Sequence, residues 1–131
     1  MFVHVDPSNG IAIYDQIVRQ VKFAVASEAL KPGNLVPSVR ELARDLTVNP
    51  NTVARAYREL QVDNVLQPLR GTGLEVTSAA PKKCLEARAA LIRQRLRSVL
   101  QEARQSGLDP DEIRNLAEEE LARLNSKKDK S

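Results

Sequence analysis

The feature that most constrains this chain is a pair of short amphipathic segments between Pro37 and Leu60, each with its own start signal. Ser38-Val39-Arg40-Glu41 is a capping box, in which the serine side chain accepts from the Glu41 amide and the glutamate reaches back to the Ser38 amide. Behind it Val39, Leu42, Ala43 and Leu46 recur at helical spacing, predicting a helix to about Leu46. Asn49 is a good N-cap, and Pro50 suits the first position of a new helix, where its missing N–H costs nothing. That helix runs to about Asp63 and buries Val53, Ala56, Tyr57 and Leu60. Two capped helices joined by a tight turn, the second opening on polar side chains, is how a helix-turn-helix presents its recognition helix to a DNA major groove.

The flanking sequence completes a small domain. Phe2-Val3-His4-Val5 alternates and predicts a short strand, followed by a turn cluster at Asp6-Pro7-Ser8-Asn9-Gly10. From about Ala12 to Ala29, Ile13, Ile17, Val21, Ala24 and Val25 mark a helix that Lys31-Pro32-Gly33 stops. Leu35-Val36 is an extended link before Pro37. Beyond the second motif helix, Val65 to Leu69 and Leu74 to Thr77 flank Arg70-Gly71-Thr72-Gly73 and read as a β-hairpin. Three helices and a hairpin make a winged helix-turn-helix. The fold class expected is therefore mainly α with a small β wing, in a domain spanning residues 1–78.

Thr77 to Pro81 reads as a linker. A long helix is expected from about Lys82 to Ser106, closed by Gly107. Asp109-Pro110-Asp111-Glu112 starts another, ending near Asn125. Leu85, Ala89, Ile92, Leu96, Val99 and Ala103 step by fours and threes, a heptad seam. Ile113, Leu116 and Leu121 lie on one stripe of the last helix, with Ala117 and Leu124. Two helices bury little alone, so a two-helix dimerisation domain over residues 79–126 is expected, pairing through these residues with a second copy. Arg88, Arg93, Arg95, Arg97 and Arg104 form an outer basic side that would supply positive field near DNA. Residues 127–131 are expected to be a disordered, solvated tail.

Composition narrows the function classes. The single cysteine, Cys84, rules out an internal disulfide framework and fits a reducing cytoplasm, and the single histidine, His4, leaves no basis for a histidine metal or catalytic site. No nucleophile–base set, carboxylate pair or phosphate loop emerges, so no enzyme, metal or cofactor is expected. The longest apolar runs are far too short for a membrane span, and the N-terminus lacks the pattern of a signal peptide. With Phe2, Tyr14, Phe23 and Tyr57 as the aromatics, a single-strand binder built on base stacking is disfavoured. Net charge is +3, yet residues 1–79 hold eight basic and eight acidic side chains. A positive DNA-facing surface must then come from arrangement rather than bulk charge. That neutrality supports an alternative, a winged-helix protein–protein module that binds no DNA.

Ile13-Tyr14-Asp15-Gln16-Ile17, Leu30-Lys31-Pro32-Gly33, Pro37 to Ala43 and the wing Arg70-Gly71-Thr72-Gly73 occur in the order seen in the GntR family of bacterial transcriptional regulators, which residues 11–77 resemble. Asn49-Pro50-Asn51-Thr52-Val53-Ala54-Arg55-Ala56-Tyr57 and the short helical tail resemble its YtrA subfamily. The resemblance implies a homodimeric repressor of double-stranded DNA with an inverted-repeat operator. It implies DNA contacts from Arg40, Asn49, Asn51 and Thr52 and from the wing residues Arg70 and Gly71; Ser38, Arg55 and Thr72 join them as candidate DNA-binding residues, with the role of Arg55 left open. Many relatives carry arginines where Pro50 and Ala54 stand, and Arg55 lies one residue beyond the second. Thr47 fills a turn position that is often glycine, which puts a β-branched residue in a costly conformation. The helical tail leaves little room for an enclosed effector pocket except between two copies, and no small-molecule effector is readable.

Overall fold

The computed structural model describes residues 3–129, with side chains through Ser126. Among these residues, five helices and one antiparallel pair of strands occur in the order α1 (Ile13–Ala26), α2 (Val39–Leu46), α3 (Pro50–Val62), β1 (Leu66–Leu69), β2 (Gly73–Val76), α4 (Ala80–Gln105) and α5 (Pro110–Asp129). The chain divides into two compact units, one ending at Leu91 and one beginning at Ile92.

The first unit is organised around α3, which packs against α1, α2 and β1. Ile17, Val21, Leu42, Val53, Leu60, Leu66 and Val76 are fully or almost fully buried in one core. Burial of Val53, Ala56, Tyr57 and Leu60 follows the spacing read from the sequence. The Tyr57 hydroxyl donates to the Pro37 carbonyl at 2.7 Å, tying α3 to the chain entering α2. Tyr57 is therefore a core residue, and burial pushes its phenol well above the ordinary value of 10.0.

β1 and β2 pair with Leu66 opposite Val76 and Leu69 opposite Gly73. The Leu35–Val36 segment is more than a link. Leu35 bridges Glu75, and the Val36 amide donates to the Leu74 carbonyl at 3.1 Å, so this segment lines the free edge of β2. The expected N-terminal strand is not formed over its described residues. Val3 is buried in the core, while the backbone of His4 is held by the Gln20 side-chain amide rather than by a neighbouring strand. Phe2 lies outside the described residues. Gln16, itself buried, accepts from the Asp6 amide and donates to the carbonyls of Asp6 and Ile11, each at 2.8 Å, pinning the turn cluster onto α1.

The expected linker at Thr77 to Pro81 is instead built into the first unit. Thr77 is buried, its hydroxyl donates to the Asn64 carbonyl at 2.7 Å, and α4 already starts at Ala80. Pro81 falls in the first turn of that helix, where no backbone donor is needed. Ala80 and Cys84 belong to the core, and burial raises the Cys84 thiol above its ordinary value, away from a reactive thiolate.

In the second unit α4 ends in a Schellman motif. Gly107, with φ of 99°, lets the Leu108 amide reach the Ala103 carbonyl and its own amide reach that of Arg104, both at 3.1 Å. Asp109 and Glu112 then form a reciprocal cap for α5. That helix continues past the expected end at Asn125 to Asp129, and Lys130 and Ser131 of the expected tail lie outside the described residues.

Candidate nucleic-acid interface

The α2 N-terminus carries the capping box read from the sequence: the Glu41 amide donates to Ser38 Oγ at 3.1 Å and the Ser38 amide donates to Glu41 Oε1 at 3.2 Å. These bonds hold the Glu41 carboxyl below the usual glutamate range. Ser38 keeps its hydroxyl proton free to donate outward, and Arg40 in the first turn is exposed.

At the end of α2, Thr47 adopts φ 55°, ψ 52°, the left-handed conformation expected at this position. It lets the Val48 amide bond the Ala43 carbonyl at 3.0 Å and aims the chain at α3. Asn49 caps α3, with Oδ1 accepting from the Asn51 amide at 2.8 Å. Its side-chain NH₂ makes no bond among the described residues and is left for another partner. Asn51 is exposed and Thr52 half-buried, both in the first turn of α3, whose backbone donors Asn49 satisfies: the Asn51 amide through Oδ1 and the Thr52 amide through the carbonyl at 3.0 Å.

Arg55 is exposed, and its guanidinium carbon lies 3.7 Å from the centroid of the Tyr14 ring on α1. Ile13, Tyr14, Asn51, Thr52 and Arg55 line one open concavity. Tyr14 is legible in the sequence only as a member of the family motif. Nothing in its spacing announces the stack with Arg55, because 41 residues separate them.

The wing tip is a tight turn in which the Thr72 amide donates to the Leu69 carbonyl at 2.9 Å, and Gly71 takes the positive φ of 73° the turn requires. The Thr72 hydroxyl is spent inside this turn, donating to the Arg70 carbonyl at 3.1 Å. Arg70 and Gly71 are exposed. A second cleft, lined by Ser38, Glu41, Tyr57, Thr72 and Gly73 among others, brings the α2 cap beside the wing turn. The side chains of Arg40 and Arg70 make no bond to another site residue among the described residues.

The placement of charges explains how a neutral half presents cations. Among the described residues of the first unit, the ion pairs are Arg19–Asp15 and Lys22–Asp63, both on the α1 side. Arg40, Arg44, Arg55, Arg58 and Arg70 are exposed and outside every ion pair found.

In the tail no described residue beyond Cys84 is buried. Leu85, Ile92, Leu96, Val99, Leu116 and Leu121 are about half exposed, Ala89 is exposed, and Ala103 and Ile113 are partly covered. No helix is long and apolar enough to cross a membrane among the described residues.

Residues 13–76 match the family described as bacterial regulatory proteins, gntR family. The chain is 33% identical over 111 residues to the HTH-type transcriptional repressor YtrA of Bacillus subtilis, covering 85% of each protein. Among solved structures, a GntR family transcriptional regulator from Listeria monocytogenes is similar with a TM-score of 0.66 at 30% identity, covering 86% of this chain and 97% of that one. YtrA from Sulfolobus acidocaldarius, a GntR-family transcription factor, gives a TM-score of 0.56 at 30% identity over 79% of this chain and 97% of its own. These relatives are regulators of transcription rather than enzymes. The chain belongs to the GntR family of bacterial DNA-binding transcriptional regulators and is YtrA-like in both its winged helix-turn-helix and its short helical tail.

Proposed function

We propose that the protein is a homodimeric repressor that reads an inverted-repeat operator, each protomer placing α3 in a major groove with the wing alongside. The observation that carries this reading is the set of exposed arginines on α2, α3 and the wing, all outside the ion pairs among the described residues, beside the exposed Asn49 and Asn51 at the start of α3. Arg40, Arg55 and Arg70 supply phosphate contacts, and Asn49 and Asn51 supply donors and acceptors for base edges. Ser38 adds a hydroxyl donor, Thr52 a helix-terminal contact, and Gly71 and Thr72 the backbone of the wing tip. The repressor sign is supported by the likeness to the Bacillus subtilis repressor. The protein–protein alternative rests on the neutral charge of the first half, and the pairing of Asp15 with Arg19 and of Asp63 with Lys22, with Arg40, Arg55 and Arg70 outside every ion pair among the described residues, weakens that support.

Pairing through the tail is supported by its half-exposed leucines, a surface too apolar for two helices standing alone in water. Leu85, Ala89, Ile92, Leu96, Val99 and Ala103 on α4, with Ile113, Leu116 and Leu121 on α5, are the residues a second copy covers. Charge also fits: α4 is rich in arginine, while α5 carries Asp111, Glu112, Glu118, Glu119 and Glu120. Fluorescence anisotropy with the DNA upstream of the protein's own gene, paired with sedimentation, tests both parts. Wild type binds as a dimer, Arg40→Ala stays folded and loses binding, and Leu96→Glu sediments as a monomer and binds weakly. Wild-type affinity in Arg40→Ala, or an unchanged mass in Leu96→Glu, refutes the corresponding part.

A further inference from the structure

We infer that Tyr14 is a positioning residue for DNA contact, its ring holding Arg55 at the opening of α3 where the guanidinium receives a backbone phosphate; this rests on the operator reading above. The two side chains come from different helices, and the Arg55 guanidinium carbon lies over the Tyr14 ring, 3.7 Å from its centroid. An arginine stacked this way uses its face on the ring and keeps its N–H edge free for a bidentate anion contact. Arg55 follows Asn51 by one helical turn, and helical side chains lean toward the N-terminus, so its head is carried toward the first turn of α3. The shared concavity with Asn51 and Thr52 matches that direction.

The ring is itself well placed to act as a brace. Tyr14 is half-buried in the first turn of α1, and neighbouring Gln16 anchors that turn through its bonds to Asp6 and Ile11. Arg55 belongs to no ion pair found, so the stack is the contact that limits its rotamers. Ordering a flexible arginine before DNA arrives removes part of the entropy cost of binding. In a recognition helix with Pro50 and Ala54 at positions where many relatives carry arginine, a prepositioned Arg55 replaces charge but from the side facing α1.

The test is a double-mutant cycle on the full chain, read by anisotropy with the same upstream DNA over a salt series. Tyr14→Leu weakens binding by about two- to five-fold, the size of an exposed stack. Tyr14→Phe keeps wild-type affinity because the ring face is retained. Arg55→Ala lowers the salt slope by about one for each phosphate that Arg55 neutralises. In the Arg55→Ala background, Tyr14→Leu has no further effect. In the free protein the Arg55 side-chain protons resonate upfield in NMR spectra, and Tyr14→Leu abolishes the shift. Melting curves confirm that each variant is folded. An equal loss from Tyr14→Leu with and without Arg55, a Phe variant as weak as Leu, or an unchanged slope in Arg55→Ala overturns the inference while leaving operator binding intact. A folded wild type that binds no DNA overturns both.

Discussion

Asn49 performs one task that the fold requires and is proposed to perform a second, and a single substitution separates them. Its Oδ1 accepts from the Asn51 amide at 2.8 Å, which is the cap of α3, while its NH₂ points to no partner among the described residues. Asn49→Asp preserves the capping oxygen and adds a negative charge at a helix N-terminus, worth roughly 0.3–1 kcal/mol in stability. It also replaces the only donor on the side chain with an anion facing DNA. A hydrogen bond to a neutral base edge contributes about 0.5–1.5 kcal/mol, so loss of the donor alone weakens binding by roughly two- to twelve-fold, and repulsion from nearby phosphate adds to it. Asn49→Ala is the converse control. It removes the cap, costing about 1 kcal/mol, which lowers the melting temperature by roughly 4–8 °C in a domain of this size, and it loses the donor without adding charge. The assay is a thermal melt beside anisotropy with the upstream DNA at low and high salt. The expected order of stability is Asp at or above Asn, with Ala lowest, and the expected order of affinity is Asn, then Ala, then Asp, with the gap between Ala and Asp closing as salt rises. An Asp variant that binds like wild type refutes the outward donor, and one that melts with Ala refutes the cap.

Thr47→Gly relieves a β-branched residue at φ 55°; the left-handed conformation costs about 1–2 kcal/mol, and the greater unfolded-state freedom of glycine offsets about 0.4–1 of the gain, so urea unfolding shows a net gain of up to about 1.6 kcal/mol. A destabilised Thr47→Gly removes the strain argument. Asn51→Ala leaves the cap bond in place, since Asn51 contributes only its backbone amide, and relaxes base preference by about 1–3 kcal/mol at one or two positions in a selection from randomised DNA. Uniform weakening across all sequences assigns Asn51 to phosphate instead. Glu41 and Asp109 are both held below their ordinary values of 4.5 and 3.8 by capping hydrogen bonds. Depressed folded values mean stability that is fully present above the unfolded values and fades as pH falls through the folded ones. Glu41→Gln flattens the acid limb of a stability–pH curve, and an identical limb in wild type and variant contradicts the capping role.

What the sequence makes legible is what depends on local chemistry. Ser38 and Asn49 announce caps, Gly107 announces a helix end, and the spacing of Val53, Ala56, Tyr57 and Leu60 announces a buried face, because each effect is decided within one or two helical turns. Sequence and structure part where distant residues decide. Val3 to Val5 alternates like a strand, yet α1 offers the Gln20 amide in place of a neighbouring strand. Leu35–Val36 reads as a link because its partner, β2, lies some forty residues further on. Thr77 to Pro81 has linker composition, but Thr77 finds a buried acceptor at Asn64 and Pro81 fits a helix start. The Tyr14–Arg55 stack belongs to the same class: neither residue carries a local signal for the other.

The neutral first half shows why net charge is a poor guide to a DNA-binding surface. Eight acids balance eight bases there, but their positions are not equivalent. Asp15 and Asp63 pair with Arg19 and Lys22, Glu41 bonds its own helix cap, Asp6 accepts from Ser8, and Glu75 accepts from Gln67. Each acid tied to a local donor sits at a fixed place in the fold, while Arg40, Arg55 and Arg70 stand exposed on α2, α3 and the wing. Field at a surface depends on distance, and screening removes contributions beyond roughly 8–10 Å at physiological salt. Acids held by a local donor or cation therefore subtract less from these arginines than a count of charges implies. On the proposed reading affinity comes from these few cations and scales steeply with salt, whereas base discrimination falls to the amides of Asn49 and Asn51. With Pro50 and Ala54 offering no side-chain donor, each half-site supplies modest discrimination, and the pairing of two copies at fixed spacing is what raises it to operator-level specificity.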